Sequence, residues 1–386
     1  MLSKKVLIVF SGYAYEASVI TYGYDPGGFL SSKQFLNGME SNYTYNMKGQ
    51  LTSLIHTDKA GTLDAYQYEY DITGNKTRIE KSRRGLEQES GTYTYAYDPI
   101  GRLAGVSKDG SLLRAYGYDA YGNRSSRQEG DSTTTYRYNA LNQLVKKADH
   151  QAEEGYRYDK RGNLTEITKN GNLTNQYFFG ALDRLEMAVN RKGEAARYTY
   201  NGLGHRVGKE TGSLTPQTGQ PVLPREAALD PVSRIQRQDF RPEKRIEDTI
   251  DLTREYHNLL ERREDGKKQS WLWDGFAAGM VEEGKEEHPC YYLQDDLGSP
   301  VRLVDDKGDV REAYGYDEFG QDLYQNQESI QPFGYTGYQM DPIAGTYYAQ
   351  AREYQPENGR FARSLGQKSH HHLCTACFLP FHGFFG

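Results

Sequence analysis

The chain has 386 residues, 36% of them hydrophobic, with a mean hydropathy of -0.85 and a formal net charge of -6 from 47 Lys and Arg against 53 Asp and Glu. This composition leaves a conventional aliphatic core thin. The interspersed charge argues against a nucleic acid backbone as partner, and no stretch approaches the ~20 apolar residues of a membrane-spanning helix. Tyrosine fills the deficit: 33 Tyr stand beside 14 Phe and 2 Trp, and each buried ring removes roughly 150–250 Å² from water while keeping a hydroxyl for a partner.

At the start, Lys4-Lys5 followed by Val6 to Phe10 imitates a secretion signal. The apolar run is short and no small-residue cleavage site follows, so an ordinary strand is expected there. A chain that begins inside a longer repeat array accounts for the same residues. Cysteine occurs only at Cys290, Cys374 and Cys377, too few and too clustered for a disulfide framework, which leaves the redox compartment open.

The organising unit is Tyr156-Arg157-Tyr158-Asp159-Lys160-Arg161-Gly162-Asn163. Tyr156 and Tyr158 are two apart and share one face of an extended strand, with Arg157 on the other. Asp159 to Gly162 reads as a type I turn, Asp accepting a backbone hydrogen bond and Gly supplying a left-handed residue. The β-branched run Asn163 to Thr168 is then a returning strand, and Asn170-Gly171 reverses it again. Copies recur with second aromatics at Tyr24, Tyr45, Tyr70, Tyr97, Tyr118, Tyr138, Tyr158, Phe179 and Tyr200, spaced by 20 to 27 residues. A period of this length means that each hairpin buries its face only by pairing with its neighbours. The residues expected to build the repeat include Tyr68, Tyr70, Asp71 and Gly74; Tyr116, Tyr118, Asp119 and Gly122; and Tyr156, Tyr158, Asp159 and Gly162. At Asn139 to Asn142 an Asn replaces the turn Gly, which Asn tolerates.

The organisation predicted is a hairpin array over 1–210, a Pro-rich charged insertion or loop over 211–249 with a weakly patterned helix at Glu226 to Arg237, a further region over 250–363, and a variable tail over 364–386. Within the third region, Gln269 to Gly275 predicts a strand entering a turn, and Tyr314-Gly315-Tyr316-Asp317 is expected to restore the repeat after two further units from Tyr291.

These residues resemble the YD-repeat, or Rhs, family. The more specific signature lies toward the C-terminus: Tyr291 to Ser299 resembles the family's entry motif with Leu293 where a histidine is common, and Pro332 to Gly337 follows. Asp341, Gly345, Tyr347, Tyr348, Arg352, Tyr354, Pro356, Gly359, Arg360 and Phe361 then fall at the spacing of its core motif. The resemblance implies an all-β fold of antiparallel hairpins wound into a curved or spiral, cocoon-like shell, here expected to be incomplete. It implies a secreted or cell-surface context and, in toxin members, a C-terminal effector released by self-cleavage. After Phe361 the Asp-Pro segment and later motifs are missing, so neither cleavage site nor protease carries over.

Other chemistry competes poorly with plainer readings. His370 to His372 with Cys374 and Cys377 offers zinc-type ligands, but adjacent histidines cannot all aim at one ion. Asp295-Asp296 and Asp305-Asp306 sit beside glycine turns, where Asp caps the backbone. Arg352 and Arg360 among tyrosines either hold an acidic ligand or stack on the rings and lock the sheet. The function expected is therefore a noncatalytic structural shell that takes no cofactor or metal and encloses or displays a C-terminal effector absent here, its partner being a C-terminal toxin cargo or an upstream remainder of the shell. The alternative is an adhesin that binds cell-surface glycan through exposed tyrosines.

Overall fold

The structure is a computed structural model that describes residues 2–8, 18–214, 240–253, 258–283, 289–324, 329–350 and 352–363. A 26-stranded sheet dominates it. Its pairing runs antiparallel from each strand to the next, starting with Leu2–Ile8 against Ser18–Tyr24 and ending with Pro300–Val304 against Val310–Ala313. A second, four-stranded sheet is formed by Gln339–Asp341, Thr346–Ala349, Arg352–Gln355 and Arg360–Phe361. Among the described residues the helical segments are two three-residue 3₁₀ turns, Glu87–Glu89 and Tyr335–Gly337.

Local chemistry sets the hairpins. The Asp71 carboxylate accepts hydrogen bonds from the N–H groups of Thr73 and Asn75, each at 2.9 Å, while Gly74 closes the turn at φ +95. The pairing register slips at Tyr70, which faces Lys76, so each turn carries a bulge. Asp119 and Asp159 cap their turns in the same way, with Gly122 and Gly162 at φ +83 and +87. Asn142 takes the left-handed place at φ +58, as the sequence predicts.

The two tyrosines of each unit share a face but do different work. The first ring is buried, as at Tyr68, Tyr116 and Tyr156. The second is half-buried, and its hydroxyl reaches back one unit to the first carbonyl of the preceding return strand. Tyr70 donates to Leu51 O at 2.7 Å, Tyr97 to Lys76 O at 2.8 Å and Tyr118 to Leu103 O at 2.8 Å. Tyr138 donates to Arg124 O at 2.8 Å and Tyr200 to Leu185 O at 2.6 Å. The bulge frees that carbonyl, and the repeat supplies its donor.

The sheet curls until late strands lie on early ones. His56 Nε2 is 3.0 Å from Gln294 O, Arg302 binds Asp64 at 2.7 and 2.9 Å, and Asn37 donates to Asp305 O at 2.7 Å. Tyr291, Leu293, Val301 and Val304 accordingly share a buried cluster with Ile20, Leu54, Tyr66 and Val106. The tyrosine face is thus the inside of a roll. Since every connection reverses the chain, the Asp-capped turns lie at one end of the roll and the return turns, such as Asp109-Gly110 and Asn170-Gly171, at the other.

Two expectations about organisation change. The segment 211–249 is not an insertion at its ends: Arg206–Leu214 and Phe240–Asp251 are paired strands, with Ser213 opposite Arg241, and a slip between Thr211 and Gly212 seats Pro242 opposite Gly212. The boundaries at 210 and 249 therefore fall inside strands, while the helix expected at 226–237 lies outside the described residues. Tyr314 to Tyr316 restores the repeat in reduced form: Tyr316 keeps an antiparallel bridge to Asp322, in the register of Tyr70 with Lys76, around the turn from Asp317 to Gln321, but the chain leaves the large sheet after Ala313. Arg83 holds it there, its guanidinium donating to Tyr314 O at 2.9 Å and Val301 O at 3.0 Å.

Candidate functional site

The site is the surface on which residues 314–363 lie across the inner tyrosine face. Glu318 receives a two-pronged hydrogen bond from Arg114, at 2.8 and 2.7 Å, and a third from the Tyr116 hydroxyl at 3.1 Å. Burial opposes its charge, yet the Arg114 guanidinium keeps its carboxyl below the usual range. Phe319 stands edge-on to Tyr116 at 5.2 Å. The chain is anchored there before the core motif begins.

The core motif then contacts one repeat after another. Asp341 accepts the Tyr198 hydroxyl at 2.9 Å and pairs with Lys209 at 3.0 Å and Arg206 at 3.8 Å. Burial pushes its carboxyl up, but those two cations hold it down at about 2. Burial raises Glu353, which accepts the Thr346 hydroxyl at 2.7 Å, toward the protonated form. Gly345, at φ +67, turns the chain between Asp341 and the strand carrying Tyr347 and Tyr348.

Tyr347 donates to Gly320 O at 3.0 Å and Tyr354 to Phe319 O at 2.9 Å, while the Tyr348 hydroxyl accepts from Arg206 N–H at 2.9 Å. Pro356 is buried and accepts the N–H of Gly359 at 3.1 Å, closing a turn with Gly359 at φ +62. Arg352 lies 3.5 Å over the Phe361 ring, and Phe361 meets Tyr354 edge-on at 5.7 Å. Arg360 stacks 4.7 Å over Tyr138 and donates to Asn123 Oδ1 and Asn142 O at 3.0 and 2.7 Å. Both arginines thus have the locking geometry. Finally Leu164 N–H donates to Ala362 O at 3.0 Å, and Arg363 pairs with Asp183 at 2.8 Å.

Asn123 and Asn142 lie in Asp-type turns and Leu164 and Arg206 just after them, so the segment spans the end of the roll where those turns lie and plugs it. It also reads the bulges: the N–H groups of Leu164 and Arg206, each six residues after a second tyrosine, are answered by Ala362 O and the Tyr348 hydroxyl. Leu164 precedes the one unit in which Phe179 replaces that tyrosine.

The acidic pairs stand as follows. Asp295 caps its own turn through Leu297 and Ser299 N–H at 2.9 and 2.8 Å, and Asp305 caps through Lys307 and Asp309 at 3.0 and 2.9 Å. Burial, with Asp296 beside it, pushes Asp295 up to about 6, and Asp296 pairs with Lys76 across the roll. Cys290 is half-buried, and burial pushes its thiol up to about 11. His370 to Cys377 lies outside the described residues, among which no cluster of three metal-ligating side chains occurs. No helix among them is long and apolar enough to cross a membrane.

Sequence reasoning missed Arg83, Arg114, Arg124, Arg206 and Glu318, each of which meets a partner more than a hundred positions away. The one available signal was a charged residue inside or ending a tyrosine-rich strand, where solvent alone rarely holds it.

The family model described as the teneurin YD-shell matches residues 67–215 and 276–368. The tRNA3(Ser)-specific nuclease WapA of Bacillus spizizenii is 28% identical over 357 residues, covering 90% of this chain and 13% of that protein. The toxin protein Tse5 of Pseudomonas aeruginosa is 27% identical over 352 residues, covering 84% of this chain and 24% of its own length. Among solved structures, the Tc holotoxin pore of Photorhabdus luminescens aligns with a TM-score of 0.40 and 17% identity, over 100% of this chain and 23% of that one. The chain therefore spans a quarter or less of the length of these relatives.

Proposed function

The chain belongs to the teneurin YD-shell family, and from that premise we propose that it is a noncatalytic stretch of shell wall in an exported protein, enclosing or displaying an effector joined to its C-terminal side. One observation carries this reading. Residues 314–363 do not extend the wall but turn inward across the tyrosine face, and the chain at Arg363 is held against Asp183 and Asn163 at the plugged end. Polypeptide that follows is thereby led off from the lining rather than from the outer surface.

The carboxylates support the noncatalytic part. Asp64, Glu318 and Asp341 are each satisfied by arginine or lysine, and Asp295 and Asp305 by their own turns. A reporter enzyme fused to the C-terminal side, in a protein that also carries the rest of the shell, tests the enclosure. Latent, protease-resistant reporter that becomes active only when the shell is unfolded is the expected result. Full activity with the shell folded would remove enclosure and leave display. The adhesin alternative expects saturable binding on a glycan array, which the shell reading does not. Its proposed contacts are weakened by the burial of the first tyrosines, including Tyr68, Tyr116 and Tyr156.

A further inference from the structure

The aromatic pair of each hairpin faces two residues of its returning strand, and on the inner face these positions vary in a particular way. Opposite the second aromatic stand Leu30, Leu51, Leu103, Leu144, Leu164 and Leu185, but Lys76, Arg124 and Arg206 take the same place in the other hairpins. Opposite the first stand Leu54, Ile79, Val106, Ile167 and Ala188, but Lys33, Arg127, Lys147 and Lys209 in the rest. An apolar residue satisfies the hairpin, so the hairpin itself does not ask for the cations.

The late chain answers them. Lys33 pairs with Asp274 at 2.8 Å, Lys76 pairs with Asp296, and Arg127 meets Asp317 at 3.8 Å. Lys147 pairs with Glu357, Lys209 with Asp341 at 3.0 Å, and Arg206 lies 3.7 Å from Glu353 and 3.8 Å from Asp341. Arg124 donates to Glu357 O at 3.1 Å. Arg127 and Lys147 have a local glutamate as well, Glu129 and Glu154. Lys33, Lys76, Arg206 and Lys209 find carboxylates only in the late chain among the described residues. The cationic side chains of these ion pairs are between 6% and 16% exposed, so water does not replace the carboxylates.

Along the wall the partners ascend together, Lys33, Lys76 and Arg127 with Asp274, Asp296 and Asp317, so late turns lie on early hairpins in one direction and one phase. Apolar contact does not choose that phase. Attraction between apolar surfaces is non-directional, and the same leucine recurs in successive hairpins. A slip by one hairpin, however, carries Asp296 from Lys76 to Leu51 or Leu103. It strands a carboxylate and an ammonium away from water, and breaking a buried pair costs far more than the pair contributes when made.

We propose that the cations standing in for apolar residues on the inner face are a register code, which fixes the early hairpin that each late turn lies against and hence how tightly the sheet rolls. The leucines supply adhesion, and the cations reject the neighbouring registers.

Urea unfolding of the full chain tests this at Lys76 and Asp296, where Asp295 caps the turn and leaves Asp296 to the cross-roll pair. Lys76→Leu restores the residue usual at that position but strands Asp296, and is expected to lose about tenfold or more in the folding equilibrium constant. Lys76→Leu/Asp296→Leu removes both charges and should return to within about threefold of the parent. Lys76→Leu/Leu103→Lys keeps the cation but moves it by one hairpin, and should be no more stable than Lys76→Leu. Recovery by the moved cation overturns the proposal, because any cation on the inner face would then serve. So does parent-like stability of Lys76→Leu. A Lys76→Leu/Asp296→Leu protein no more stable than Lys76→Leu, or unfolded, also overturns it, because the pair would then supply stability rather than register.

Discussion

The Tyr198 hydroxyl donates to the Asp341 carboxylate across 2.9 Å, joining the last regular repeat to the first residue of the core motif. Asp341 is 1% exposed and also faces Lys209 and Arg206. Its replacement takes the carboxylate from the half-buried Lys209 and leaves the buried Arg206 with Glu353 alone. Asp341→Ala is expected to destabilise the fold by about 3–5 kcal/mol in urea unfolding, and Tyr198→Phe by about 1 kcal/mol. If Asp341→Ala costs no more than Tyr198→Phe, the carboxylate does not hold the plug.

The backward-reaching hydroxyls make a second prediction. Tyr118→Phe removes the donor to Leu103 O and should cost about 1 kcal/mol, the usual loss when a partly buried acceptor is left unmade. Tyr121→Phe, at an exposed tip three residues away, should stay within about 0.5 kcal/mol of the parent. Equal effects at both positions would show that the hydroxyl of the second tyrosine carries no structural load.

Turn geometry gives a third. Gly122 sits at φ +83, where an added Cβ would meet Arg102 Nη1 at an ordinary contact distance of 3.7 Å, so Gly122→Ala should cost about 1–2 kcal/mol from backbone strain alone. Gly204→Ala, at φ +92, meets only the flexible end of Arg184, which can swing aside, and should cost about the same. The same unfolding experiment measures both, and a loss below about 0.5 kcal/mol at either would contradict the turn assignment.

The fourth concerns acid. His56 is fully buried, with Nδ1 2.7 Å from Ser41 Oγ and Nε2 3.0 Å from Gln294 O, and burial lowers its pKa from 6.5 to about 4. The native state therefore binds fewer protons than the unfolded chain. Its contribution is whole above 6.5 and is lost as pH falls through the window down to about 4, by about 3 kcal/mol. Asp295, raised from 3.8 to about 6, works in the opposite sense and gains stability over an overlapping window as it protonates. Comparing the parent with His56→Gln isolates the histidine: the stability gap between them should shrink by about 3 kcal/mol from about pH 7 to about pH 4. A gap independent of pH would mean that His56 can protonate in place.

What could be read from the residues was local. Asp159 to Asn163 encodes its turn within five positions, and Tyr156 with Tyr158 encodes its face within three, so the hairpin and the shared tyrosine face were legible, whereas the bulge at the second tyrosine was not. The core motif was legible as a pattern, but not as a plug. Asp341 meets Lys209, Arg114 meets Glu318 and Arg302 meets Asp64 only after the sheet has curled, and nothing near any of these residues names its partner. The proline-rich stretch misled for a related reason. Pro242 breaks a regular ladder unless the partner strand slips, and the slip beside Gly212 is written on the other strand.

Hydrogen exchange on the intact chain tests the central claim most directly, because a plug must be as closed as the wall it fills. Peptides covering 339–350 and 352–363 are predicted to exchange as slowly as those from the wall strands Leu103–Lys108 and Leu164–Lys169, and to lose that protection in Asp341→Ala before the wall does. Exchange of the 339–363 peptides at the rate of an unfolded chain, while the wall stays protected, would contradict the plugged roll.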